Sequence, residues 1–198
     1  MRGEAMTAPR DILAYWLDEV GSEAWYTGGT ALDADIKERY SGTWARACQG
    51  ALSLWLTYPS GTLAYIILTD QFPRNMFRDT PAAFSSDHIA LAAAKMAIAK
   101  DWDMKIEEPA RQFFYMPLVH SEAQADQDRA VRLIKSRMPA DDGKQLLHAR
   151  AHREVIRSYG RFPTRNAALG RCNSTAEDKY LSGGAYGAVV QSLSSEPA

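Results

Sequence analysis

Five guanidinium groups fall in two short stretches of the chain that nearly repeat each other. DQFPRNMFRD, residues 70–79, carries Arg74 and Arg78, and GRFPTRNAALGR, residues 160–171, carries Arg161, Arg165 and Arg171. Each stretch presents a Phe, a Pro, an Arg and an Asn in that order. A planar guanidinium matches a carboxylate or a phosphate through two parallel hydrogen bonds, so such a concentration could cradle an anion. The same groups could instead serve the fold. A Pro that ends a helix frees carbonyls, which Arg74 and Asn75 are placed to satisfy, and Asp70 and Glu122 are acids that the arginines could lock in place. Burying a carboxylate without a partner is unfavourable, so both readings follow from the residue types.

PLVHSE, residues 117–122, is a second centre. Pro117 breaks a helix, and His120, Ser121 and Glu122 stand at the entry of the next, with Asp126 and Gln127 following. An imidazole with a carboxylate two residues away could serve as acid and base, which makes His120 and Glu122 the catalytic candidates if any reaction is run. Against this, Ser121 reads as the helix N-cap, paired with Gln124 in a capping box, and Glu122 would offset the helix N-terminal dipole. Whether the chain is an enzyme stays open at this point.

HARAH places His148 and His152 one helical turn apart, a spacing that metal sites use. No Glu follows the first His as in HExxH, and the four-residue step continues to Ile156, so this stripe borders a core and no metal is expected. His152, just ahead of the second Phe-Pro stretch, is the better pocket candidate. A GxSxG nucleophile and a glycine-rich phosphate loop are both missing from the sequence, and Cys172 beside Arg171 has no further support as a reactive thiol. No cofactor is expected.

The candidate ligand-binding set is therefore Asp70, Arg74, Asn75, Arg78, His120, Glu122, His152, Arg165, Asn166 and Arg171. If the two Phe-Pro corners and the His-Ser-Glu entry converge, they would hold a small carboxylate or phosphate, or an acidic peptide terminus. The alternative is a helical scaffold for a protein partner, with these residues as internal clamps and Trp25, Tyr26 or Trp102 as exposed aromatic contacts.

The elements that must position these residues are helices. The chain has 198 residues, 46% hydrophobic and 24% charged, enough to bury a core and far from the composition of disorder. With 23 Lys and Arg against 24 Asp and Glu there is no global positive field, so neither nucleic acid nor an anionic membrane is expected as a partner. Two cysteines without metal-site spacing, an N-terminus broken by Asp11, Asp18 and Glu19, and a longest apolar run of only LAYIIL fit a cytoplasmic protein.

Pro9 can open a helix whose Ile12, Leu13, Trp16, Leu17 and Val20 share one face. Thr30 and Asp33 read as a capping box before Ile36, Tyr40 and Trp44. TLAYIILTDQF is apolar on nearly all sides and is stopped by Pro73; an Ala-rich helix follows Asp87; EEPARQFFYM reads as a fifth, ended at Pro117. Two more helices precede Gly160, and Ser174 or Thr175 with Glu177 or Asp178 opens a last short one. With no alternating segment, the class is all-α: a tetratricopeptide-like array or bundle of about seven to eight antiparallel helices, in a single domain over 1–198, with 183–198 a loosely held tail.

The stretches ILAYWL, LAYIILTDQFPRNMFRDTPAAFSSD, FFYMPLVHSEAQADQ, AHREVIRSYGRFPTRN and LGRCNSTAED follow in that order across residues 12–181. As a set, with DQFPRN, HSE plus the following DQ, and GRFPxRN as its specific parts, the sequence resembles the bacterial family catalogued as domain of unknown function 924. The resemblance implies a tetratricopeptide-like, all-helical fold and no particular activity. The chain departs from the pattern at Thr164, where a His is common, and by one extra residue in RCNST, so chemistry requiring a His at that corner is not implied here.

Overall fold

Pro9 sits in the first turn of helix α1 (Pro9–Leu13), where its missing N–H leaves no intrahelical bond unmade. In the computed structural model, which describes residues 7–195, α1 widens into a π-helical continuation, Ala14–Val20, and ends at Gly21, whose φ of 71° suits glycine. α2 is Thr30–Cys48. α3, Pro59–Ile66, runs through a π-helical stretch, Ile67–Gln71, into α4, Phe72–Met76. α5 is Asp87–Ala99, α6 Met116–Val119, α7 Gln124–Arg137, α8 Lys144–Tyr159, α9 Thr175–Ser182 and α10 Ala185–Ser194. Short 3-10 turns join several of them, and the described residues contain no strand, so the protein is all-α. Among them, no helix is long and apolar enough to cross a membrane.

The chain groups into two compact units, one reaching Arg78 and resuming at Ala82–Phe114, the other holding Asp79–Pro81 and everything from Tyr115. In the first, Phe72 is fully buried, its ring 5.0 Å from Tyr40 and 5.4 Å from Trp16. The Phe of the first repeated stretch is thus a core plug. Trp25 joins the same core, stacked on Trp16 and 4.8 Å from Phe113, so it offers no exposed aromatic surface. Its neighbour Tyr26 is exposed. In the second unit Val155, Ile156 and Phe162 form a small core with Tyr159, Tyr180 and Val189 packed against it.

Several local expectations give way to tertiary contacts. Pro73 does not stop the central helix. It takes a first-turn position of α4, and the wide turn before it lets Phe72 N–H reach back to Ile67 O. The carbonyl four residues before Pro73, Thr69 O, has no N–H from the proline and instead accepts from Ser86 Oγ at 2.6 Å. EEPARQFFYM is not one α-helix. Ala110–Phe114 is a 3-10 turn, and Pro117 lies in the first turn of α6 instead of ending a helix.

Thr30 is not a cap either, because Gly29 holds that place and the Asp33 side chain is engaged elsewhere. Ala123, not Ser121, caps α7. By contrast, Ser174 and Glu177 form a reciprocal capping box at α9. Residues 185–194, expected within a loose tail, are helical: α10 packs on α8, with Tyr186 Oη 2.8 Å from His148 Nδ1. Residues 196–198 of that tail lie outside the described residues.

Candidate functional site

The first corner is built where α4 leaves its π-helical lead. Arg74 sits one turn beyond Asp70, and its Nη1 donates to the Asp70 carbonyl. The same guanidinium grips both oxygens of Asp87, in the first turn of α5, at 2.9 and 3.0 Å. Asp70 is fully buried, with one oxygen 3.4 Å from Arg74 and the other accepting from Gln71 Nε2 at 2.5 Å. Burial disfavours the charge on Arg74, but Asp70 and Asp87 outweigh it and strengthen protonation.

Asn75 and Arg78 turn the other way, onto α2. Asp33 accepts from Asn75 Nδ2 at 2.8 Å and from Arg78 Nε and Nη2 at 2.9 Å each. Burial pushes the Asp33 carboxyl up, yet the bonds from Arg78 and Asn75 prevail and hold it below the usual range. An acid in the first turn of a helix also offsets the helix dipole, so Asp33 and Asp87 each serve two electrostatic purposes.

The second corner, in the other unit, is organised by two acids. Arg161 places Nε and Nη2 on Glu177 at 2.6 and 2.8 Å, and the same Nη2 donates to Cys172 O. Bonds from Arg161 and from the Ser174 N–H hold the Glu177 carboxyl far below the usual range. Glu122 accepts from Arg171 at 2.8 and 2.9 Å and from Phe162 N–H at 2.8 Å. Burial would raise the Glu122 carboxyl, but Arg171, the Phe162 amide and the nearby charge of Arg165 lower it.

Arg165 Nη2 donates to His120 O at 2.9 Å, and its guanidinium lies 4.4 Å over the Phe162 ring. Asn166 is buried; its Nδ2 donates to Asn173 Oδ1 at 2.8 Å while its Oδ1 has no protein partner. The His-Ser-Glu turn is fixed from α7: Gln127 Nε2 donates to Val119 O and Ser121 O, and Ser121 Oγ to Asp126.

His120 and His152 do meet, with ring centroids 6.3 Å apart. His152 Nδ1 lies 2.9 Å from His148 O, and its ring packs against Phe162 and Tyr186. Burial pushes its pKa down to about 3, the bond to His148 O opposing and the charges of His120 and Arg165 reinforcing the shift, so this imidazole is neutral at ordinary pH. Burial and Lys144 also lower His148. The two histidines one turn apart are therefore spent on a backbone carbonyl and on Tyr186. No group of three or more His, Cys, Asp or Glu among the described residues is arranged to hold a metal ion.

The ten candidate residues thus divide between the units, with Asp70, Arg74, Asn75 and Arg78 in the first and His120, Glu122, His152, Arg165, Asn166 and Arg171 in the second. Asp33, Asp87 and Glu177 were legible only as helix-start residues, and nothing in their local sequence marks them as partners of arginines.

The model of a family described as bacterial protein of unknown function (DUF924) matches residues 12–185. A solved structure of a protein of unknown function from Agrobacterium tumefaciens is 35% identical with a TM-score of 0.83, the match covering 89% of this chain and 97% of that one. The search of curated proteins returns no match. On the extent of the family match and of the structural likeness, the chain belongs to the DUF924 family of bacterial proteins.

Proposed function

We propose that this protein is a helical scaffold of the tetratricopeptide-like kind, in which the two Phe-Pro corners are internal clamps and a protein partner is met elsewhere. The observation that supports it is the pairing pattern. Arg74, Arg78, Arg161 and Arg171 each place two nitrogens on one carboxylate of the chain, within 2.6 to 3.0 Å. At least two of the five N–H donors of each guanidinium are thereby engaged within the chain, on an edge that an added anion would have to win from a carboxylate. Glu122 is poorly suited to act as a general base, since both its oxygens accept hydrogen bonds and its carboxyl is held ionised. Tyr26, Leu54, Tyr58 and Met104 are large apolar side chains exposed on the first unit, side chains of the kind a partner could cover.

A second reading, a small anion held at the second corner by Arg165, His120 and Asn166, has one observation in its favour. Arg171 Nε is buried there without a protein partner, a donor of the kind an anion takes up. Thermal melts separate the two. Under the clamp reading, phosphate, succinate and citrate leave the wild-type midpoint unchanged, and Arg171→Ala melts lower by about 4 to 10 °C. A rise with one of these anions that vanishes in Arg165→Ala would replace the scaffold with the pocket.

A further inference from the structure

A groove of about 620 Å³ opens in the second unit between the C-terminal half of α8 and helices α9 and α10. None of the residues of the repeated corners lines it. One wall is the face of α10 that carries Ala185, Ala188, Val189, Ser192 and Leu193, a helical spacing that is apolar but for one hydroxyl. Tyr180 of α9 continues this surface. The charged lining residues are Arg153 and Arg157 of α8 and Lys179 of α9, against a single acid, Glu154.

Those cations are loosely held. Arg157 lies 3.6 Å from Glu154 with its side chain 66% exposed, a pairing that water screens. Arg153 reaches Asp128 only at 3.9 Å, and its Nε is buried without a hydrogen-bond partner. Arg153 and Arg157 are also one turn apart on α8, where like charges repel. An anion between them would relieve that repulsion. The volume falls within the range of small-molecule sites.

We propose that this groove binds an aliphatic carboxylate, with the carboxylate between Arg153, Arg157 and Lys179 and the hydrocarbon along Tyr180, Val189 and Leu193. The cationic residues select one end of the molecule and the α10 face the other. Neither acetate, which lacks the chain, nor an alkyl amine, whose ammonium carries the opposite charge, satisfies both. The proposal does not depend on the corners and stands whichever reading of them holds.

The test is calorimetric titration of the full chain with octanoate, acetate and octylamine at low salt. Octanoate should bind saturably at one site, acetate and octylamine should not, and binding should weaken as salt rises. Arg157→Glu should weaken octanoate by about tenfold or more and Leu193→Gln measurably, while Arg165→Ala leaves it unchanged. Arg157 is exposed, so its variant stays folded, with a midpoint lowered only slightly by the lost Glu154 contact and the acid at the end of α8. The proposal is overturned if octanoate does not bind, if octylamine binds equally well, if Arg157→Glu leaves the affinity unchanged, or if Arg165→Ala abolishes it.

Discussion

Glu122 and Arg171, 49 positions apart, close a two-point salt bridge at 2.8 and 2.9 Å while Glu122 also accepts the Phe162 amide. One carboxylate therefore fixes both ends of the second repeated stretch to the start of α7. Both side chains keep part of their surface, 23% for Arg171 and 29% for Glu122, so the pair is strong without being sealed. Arg171→Ala and Glu122→Gln should each destabilise by about 1 to 3 kcal/mol. The double variant should cost less than the sum. Denaturant melts of the four-member cycle give the coupling; a coupling near zero would remove Glu122 from the clamp.

Asp33 allows a helix cap to be told from a tertiary clamp. Asp33→Ala strips Asn75 and Arg78 of their shared acceptor and should cost about 1 to 2 kcal/mol. Thr30→Ala should stay within about 0.5 kcal/mol, because Gly29 holds the cap. Equal losses in urea midpoints would restore Thr30 to a capping role.

Acid should weaken the fold in two stages. His152 titrates near its ordinary value of 6.5 when unfolded but at about 3 when folded, so the unfolded chain binds the extra proton in between. Its contribution is complete above about pH 6.5 and is lost progressively as pH falls towards 3. The carboxyls of Asp33 and Glu122, held low in the fold, lose theirs only as pH drops below their ordinary 3.8 and 4.5. Melting midpoints followed from pH 7.5 to 4 should fall between 6.5 and 5 in the wild type and fall less steeply there in His152→Gln, the remaining slope belonging to His148, which is also held low. A wild-type curve already flat in that interval would contradict a buried neutral His152.

The hold of α10 rests heavily on Tyr186, whose hydroxyl meets His148 and whose ring lies 4.7 Å from His152. Tyr186→Ala should speed amide hydrogen exchange across 185–194 while α8 stays protected. Tyr186→Phe should do so less. Equal protection of α10 in all three proteins would mean that its apolar face alone keeps it in place.

Much of the architecture is written in local residue choices. Pro9, the four-residue recurrence through Ile36, Tyr40 and Trp44, the Ala-rich run after Asp87 and Gly160 each act within a turn or two, so helix class and several boundaries could be read from the chain. What could not be read is choice of partner. An aspartate at a helix start looks the same whether it bonds its own N-terminus or an arginine far along the chain, as Asp33 does with Arg78. Pro73 misled because its penalty assumes α-helical winding, whereas the wide turn before it and the Ser86 hydroxyl dispose of the orphaned carbonyl.

That wide turn at Ile67–Gln71 acts as a phase dial for everything downstream. A helix advances about 100° per residue, and the wide turn already takes up one residue beyond an α turn, so a further residue inserted ahead of Asp70 without further widening would swing Arg74 and Asn75 by roughly that angle. Asp70 would move with them, whereas Asp33 and Asp87, on other helices, would stay behind. The aim of the first corner is thus set by the count of residues ahead of it as much as by their identity.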